Sequence, residues 1–342
     1  MESIKVNADY ESVLYHGKNS EEMNRSLEFL AFFLEEKPIL SHKSYRPEYL
    51  NYVEKITGRR PQIVSSGKYD NWWGDLKDLV KERWMNSKVT TAELNLKQGW
   101  CKVFIVNSPD ELIAIPQKKF LAKIAYGISG QKFSLLERPE ELTPQLKDTP
   151  YILEPLLDRK FDFSHYVFPD GKSICYENVV DQNFQYKGSI FQNYHQAEIQ
   201  NLSFYSNVSL DEWNHFKNAL TEIKSYFLKD NQMGFSIDSF VYFDNGLKIR
   251  FLSEINYRKT MGLIAYELSR KYALKSPWTM LMIYKSQKSK GGFSFLQEKL
   301  GHLENLIILS PGDTRFELLF FFAENAEIGM KLKAKIESLL SS

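Results

Sequence analysis

The chain has 342 residues, 43% hydrophobic and 25% charged, near the average of globular domains, so it can bury a sizeable core and divides into two or three domains. Lys plus Arg number 44 against 43 Asp plus Glu, a formal charge of +1, which removes any global electrostatic case for nucleic acid or a membrane surface as the main partner. Two cysteines, Cys101 and Cys175, without a Cys/His cluster argue against a disulfide framework and against zinc. The N-terminus lacks a charged-then-apolar leader pattern and no uninterrupted apolar run approaches about 18 residues, so the expected setting is the reducing cytoplasm.

Residues 1–85 alternate helical and extended signals and read as a small α/β domain. Ser20 caps a predicted helix through Leu34, Lys37–Ser41 is a short strand, and a helix over Arg46–Ile56 stops at Gly58. Trp72-Trp73 reads as an interdomain packing anchor, because tryptophan buries the largest apolar area, with a substrate-facing platform as the alternative. Residues 86–150 begin with a helix that Asn86 or Ser87 caps and Gly99 ends, which places Lys88 at its first turn. A strand carrying Lys123 then runs into Gly127-Ile-Ser129-Gly130, where glycines admit backbone N–H groups to a ligand and Lys123 adds positive charge, an anion-binding concavity.

From residue 151 an apolar strand ends in Glu154, bends at Pro155 and restarts through Leu157 and Asp162. Gly171–Phe204 is polar and rich in Asn and Gln; it reads as a long connection where acceptor-substrate contacts would sit, with Lys187 and His195 as candidates. Leu210–Leu228 is an amphipathic helix whose Trp213, Phe216, Leu220, Ile223 and Phe227 form a core stripe. A hairpin follows, Phe235–Phe243 and Leu247–Leu252 about the turn Asp244-Asn245-Gly246. Its return strand ends in Glu254-Ile-Asn256-Tyr-Arg258; at period two these polar groups share a face, and Asp238 reaches in from the partner strand. Two carboxylates, an amide oxygen and a fixed cation are what Mg²⁺ and phosphate charge require. After 275 the tail reads as an extension with a closing helix from Glu324, and it carries no assignable chemistry.

Taken in order, Lys88, Lys123 with Gly127-Ile-Ser129-Gly130, Glu154, Asp238 and Glu254-Ile-Asn256-Tyr-Arg258 resemble the ATP-grasp superfamily over roughly residues 80–270. The resemblance implies an α+β fold in which two subdomains, 86–150 and 151–275, clamp ATP behind an N-terminal α/β domain. It implies that Lys88, Lys123, Gly127, Ser129 and Gly130 meet the phosphates, and that Glu154 and the backbone at Leu157 meet adenine. Asp162 would meet the ribose, although it lies one residue beyond the usual place and Arg159-Lys160 stands where glycine is common. Asp238, Glu254 and Asn256 would hold two Mg²⁺ (or Mn²⁺) ions, with Arg258 and Lys123 catalytic.

The implied activity is amide-bond formation between a carboxylate, of an amino acid or peptide, and an amine, by way of an acylphosphate. An ATP-grasp-like binding protein without ligase activity and a phosphotransferase of the same fold are the alternatives, beside an α/β protein that takes no nucleotide; fold-level analogy does not choose among them. Neither nucleic acid nor membrane is an expected partner, and the tail leaves room for self-association.

Overall fold

The computed structural model describes residues 2–116, 119–126, 133–145, 150–228 and 233–341. Within them the chain forms three sheets. The first is parallel, with strands in the order Ile63–Val64, Ile39–Leu40, Ser3–Lys5 and Tyr69–Asn71. Its short strands are connected by helices Tyr10–His16, Glu21–Leu27, Leu30–Leu34 and Pro47–Thr57. Gly58, at φ 75°, ends the last of these as its sequence predicts. The helix predicted from Ser20 to Leu34 is broken instead at Glu28, whose carboxylate turns inward to accept from Ser41 Oγ and Tyr45 OH at 2.7 Å each.

The second sheet is antiparallel and small, in the order Phe104–Val106, Tyr151–Pro155, Phe120–Ile124, Phe133–Leu136. It brings Lys123 and Glu154 onto neighbouring strands. Against it lies the helix Lys88–Gln98, capped by the Ser87 side chain, which accepts from Val89 N at 3.2 Å, and closed by Gly99 at φ 68°.

The third sheet has eight strands in the order Leu247–Asn256, Phe235–Phe243, Asp158–Val167, Ser173–Val180, Tyr186–Gln192, Trp278–Lys285, Phe316–Ala323, Leu306–Ile308, every pairing antiparallel. Two expectations are corrected by it. The predicted connection Gly171–Phe204 contains two of its strands; their polar residues find partners inside the sheet, as Gln192 Nε2 does in donating to Glu177 Oε1 at 3.1 Å, so composition hid the pairing. The tail beyond 275, predicted as an extension, supplies three of the sheet's strands. Helix Leu210–Leu228 buries Trp213, Phe216, Ile223 and Phe227 against one end of this sheet. Helix Met261–Tyr272 packs so closely that a Cβ on Gly262 would lie 2.0 Å from the Tyr176 ring.

Trp72 and Trp73 are buried, and they tie the first domain to the segment just past the hairpin. Trp73 O accepts from Lys259 N at 2.7 Å, and Lys259 Nζ sits 4.7 Å from the centre of the Trp72 ring. The packing reading of the pair is the one the structure carries.

Candidate active site

The hairpin's turn is made by residues that tolerate positive φ, Asn245 at 52° and Gly246 at 130°. Its register sets Asp238 opposite Glu254, Ser236 opposite Asn256 and Phe240 opposite Arg250. Two residues of advance on one strand therefore face four on the other, a bulge that redirects side chains between Arg250 and Glu254. Sheet edges near functional groups are where such irregularities concentrate.

A polar chain starts from Asp238. Its Oδ1 accepts from Ser164 Oγ at 2.6 Å and Ser236 Oγ at 3.2 Å, and its Oδ2 accepts from Asn256 Nδ2 at 2.8 Å. Asn256 Oδ1 in turn accepts from Arg258 Nη2 at 3.0 Å. Arg258 also donates through Nε and Nη2 to Glu11 Oε1, at 3.0 and 2.8 Å, so a residue of the first domain's opening helix reaches the end of the hairpin. The same helix sends Tyr10 OH to Glu82 Oε2 at 2.6 Å, and Asn86, beside Lys88, accepts from Tyr257 N at 2.8 Å.

Three contacts cross the gap between hairpin and small sheet. Lys88 Nζ lies 2.8 Å from Glu254 Oε1, Lys123 Nζ donates to Ser253 Oγ at 3.4 Å, and Arg250 Nη2 lies 3.4 Å from Glu154 Oε1. Lys123 Nζ also pairs with Glu154 Oε2 at 2.9 Å. All of these groups are largely buried, where an unpaired charge is costly, so each carboxylate is compensated. Burial works against the ionised form of Glu254, but Lys88 and Lys123 outweigh it and hold the carboxyl below its usual range. Glu154 is likewise held low, with Lys123 and Arg250 overcoming its burial. Asp238 goes the other way, raised by burial and by the neighbouring charge of Glu254. Bringing a cation to Asp238 and Glu254 together would relieve that repulsion.

At the open end of the hairpin Asp238 stands opposite Glu254, and Asn256 turns its Nδ2 to Asp238 and its Oδ1 to Arg258; oxygens of these three side chains are of the hard type that Mg²⁺ takes when phosphate and water complete its shell. Among the described residues no group of three or more His, Cys, Asp or Glu side chains is placed to hold a metal ion.

Beside the ion pairs, Leu121, Lys123, Glu154, Leu157, Phe184 and Phe240 line a small cavity. The guanidinium of Arg159 stacks 4.3 Å from the Phe240 ring centre and 5.2 Å from that of Phe184, closing its outer side. Asp162 is turned toward Arg159 in an ion pair and is not aimed at the cavity, in keeping with its displaced position in the sequence. Gly127, Ser129 and Gly130 lie outside the described residues. Lys187 pairs with Asp181 at 3.1 Å and His195 stacks on Tyr194, so both are engaged elsewhere.

The structure thus brings together Lys88, Lys123, Glu154, Asp238, Glu254, Asn256 and Arg258. Sequence reasoning missed Glu11, Ser164, Phe240 and Arg250. Arg250 had little signal, being the second cation after Lys248 in the run Leu247–Leu252. Glu11 had none, because its partner is 247 residues away.

The layered arrangement is the ATP-grasp fold. Among the solved structures it resembles are N5-carboxyaminoimidazole ribonucleotide synthetases. That from Thermus thermophilus superposes with TM-score 0.55 at 12% identity, over 100% of this chain and 99% of that one. The Aspergillus clavatus enzyme complexed with ATP gives TM-score 0.55 at 14% identity, covering 99% and 98%. The Aspergillus clavatus enzyme with ADP and 5-aminoimidazole ribonucleotide gives 0.51 at 15% identity, covering 85% and 79%. At such identities the likeness establishes the fold. No protein-family model matches the sequence, and no curated protein matches it significantly. No helix among the described residues is long and apolar enough to cross a membrane.

Proposed function

We propose that the protein is an ATP-dependent ligase that joins a carboxylate to an amine. The observation that carries this reading is the approach of Lys88 and Lys123 to Glu254 and Ser253 across the gap between small sheet and hairpin, 2.8 and 3.4 Å respectively. Cations from one side and hard oxygen donors from the other are the two halves of a triphosphate site, and the nucleotide-bound synthetases of the same fold support it.

In this reading Glu154 and the backbone at Leu157 receive the adenine where Leu121, Phe184 and Phe240 wall a small cavity, once Arg159 moves off the two rings to widen it. Lys88 and Lys123, released from their carboxylates, neutralise phosphate oxygens, while Gly127, Ser129 and Gly130 cover them. Asp238, Glu254 and Asn256 hold Mg²⁺, which supplies charge neutralisation for the phosphates when bound. The substrate carboxylate oxygen attacks the γ-phosphorus in line; the bond to the ADP oxygen breaks and an acylphosphate forms. The amine nitrogen then attacks the acyl carbon, phosphate leaves with the bonding pair, and the amine proton passes to solvent or phosphate. Arg258 stabilises charge on the transferring group, and the remaining work is positioning. The acceptor we favour is an amino acid or a short peptide, the class that the sequence resemblance implies.

The test has two stages. Mg-ATP should raise the melting temperature and ATP with EDTA should raise it far less. ADP release should then appear only when a carboxylate and an amine are supplied from a panel of amino acids and dipeptides. Absence of any Mg-ATP shift would overturn the nucleotide reading; a shift with no ADP release across the panel would favour a binding protein of this fold, and a stable phosphorylated product a phosphotransferase.

A further inference from the structure

Arg250 stands in the return strand of the hairpin between core residues Ile249 and Leu252, and it is only 5% exposed. Its Nη2 lies 3.4 Å from Glu154 Oε1, while Lys123 Nζ lies 2.9 Å from Oε2 of the same carboxylate. Neither Nε nor Nη2 of Arg250 finds a hydrogen bond among the described residues. Buried donors left without a bond cost about 1–3 kcal/mol each, so this guanidinium is placed there for its charge.

That charge falls on a carboxylate that faces the cavity. Glu154 lines it together with Leu121, Leu157, Phe184 and Phe240 and with the cations Lys123 and Arg159; its free space is about 20 Å³, so a flat heterocycle enters only as the Arg159 guanidinium leaves the two rings. An ionised carboxylate only accepts hydrogen bonds, whereas a protonated one also donates. Burial alone would favour the protonated form. Lys123 cannot be its full-time counter-charge, because a triphosphate in the gap would share that ammonium. Arg250, on the opposite oxygen and behind the cavity wall, stays with Glu154.

The geometry points to Arg250 as a positioning residue that keeps Glu154 an oriented acceptor, and so makes the base pocket select a 6-aminopurine over a 6-oxopurine nucleotide. The inference rests on the nucleotide reading proposed above. A 6-amino group donates to the anion, and a 6-oxo group sets one acceptor against another. The unpaired groups on such a mismatch are what give hydrogen-bonding pockets their discrimination.

Calorimetric titration of Mg-ATP and Mg-ITP, which differ at that position of the base, tests it. The wild type should prefer ATP by about tenfold or more. Arg250→Met, of similar length and without charge, should bring the ratio close to one. Arg250→Gln, which keeps a donor and loses the charge, should move it the same way and serves where the methionine variant does not fold. Adding Arg250→Met to Glu154→Gln should leave the ratio of Glu154→Gln unchanged, since the effect runs through the carboxylate. Equal weakening of both nucleotides by the Arg250 variants, or a further change of ratio in the double variant, would overturn the role. A wild type that binds neither nucleotide removes the nucleotide reading itself, and this inference with it.

Discussion

The eight-stranded sheet is one antiparallel ladder whose two ends are made of different residues. The end formed by Trp278–Lys285, Phe316–Ala323 and Leu306–Ile308 buries Met280, Leu281, Leu318, Leu319, Phe320 and Phe321, a conventional core. The end formed by Asp158–Val167, Phe235–Phe243 and Leu247–Asn256 buries an apolar core of its own, Phe163, Phe235, Ile237, Val241, Leu252 and Ile255, and adds to it Ser164, Ser236, Arg250 and Asn256 with Asp238 among them. Hydrogen-bonded backbone tolerates either filling. Apolar burial contributes about 25 cal/mol per Å², while a buried polar network breaks even at best when fully paired. A stretch of sheet that carries a paired polar network beside its apolar core therefore marks the part of the molecule with work to do beyond folding.

The sharpest break in that comparison is expected at the polar end. Glu254→Gln with Asn256→Ala should lower Mg-ATP turnover by about 10³-fold, equivalent to about 4 kcal/mol of barrier, while the melting temperature stays close to that of the parent. An unaltered rate would refute the metal assignment of these two residues.

At the apolar end the signature should invert. Phe320→Ala, at a fully buried position, should cost about 3–5 kcal/mol of stability in denaturant unfolding and leave the affinity for Mg-ATP unchanged in the folded fraction. A comparable loss of nucleotide affinity would mean that the two ends are not separable.

The contact between the first domain and the polar end is probed by Glu11→Ala, which removes the carboxylate partner of the largely buried Arg258 guanidinium and leaves it only Asn256 and the Lys259 carbonyl. About 3 kcal/mol of destabilisation is expected, and Glu11→Ala with Arg258→Met should recover most of it. No recovery would show that the pair does not act as a unit.

Glu82 gives the smallest effect and one with a definite sign. Burial raises its carboxyl to about 7, above the unfolded value, despite the bond from Tyr10 OH. A raised carboxyl favours the protonated native state, so its contribution is full below the unfolded pKa of about 4.3 and is lost as pH rises through about 7. Stability should fall by on the order of 2 kcal/mol across that window, and Glu82→Gln should flatten the profile. A Glu82→Gln curve parallel to the parent would show that another group carries the slope.

Local chemistry made a good part of the fold legible. The hairpin was written in Asn245-Gly246, whose positive φ values a tight antiparallel turn demands. Ser87 and Gly99 marked the ends of the helix that starts with Lys88, and Gly58 the end of an earlier one. The strand pair Ser173–Val180 and Tyr186–Gln192 was not legible, because residues such as Glu177 and Gln192 satisfy one another across the ladder and thereby erase the apolar alternation that advertises a strand. Arg250 was not distinguished from Lys248 two residues before it, because its meaning depended on a carboxylate brought from the small sheet.

The sequence by itself determined turns, caps, the core stripe of helix Leu210–Leu228 and the chain order of the charged residues, since these follow from backbone preferences and periodicities that act over a few residues. Only the tertiary structure decided that Lys88 meets Glu254 across 166 positions and Arg258 meets Glu11 across 247. Charge pairing in a buried gap is settled by which sheets face each other and by the cost of leaving any partner alone there, and neither quantity is written in a local window.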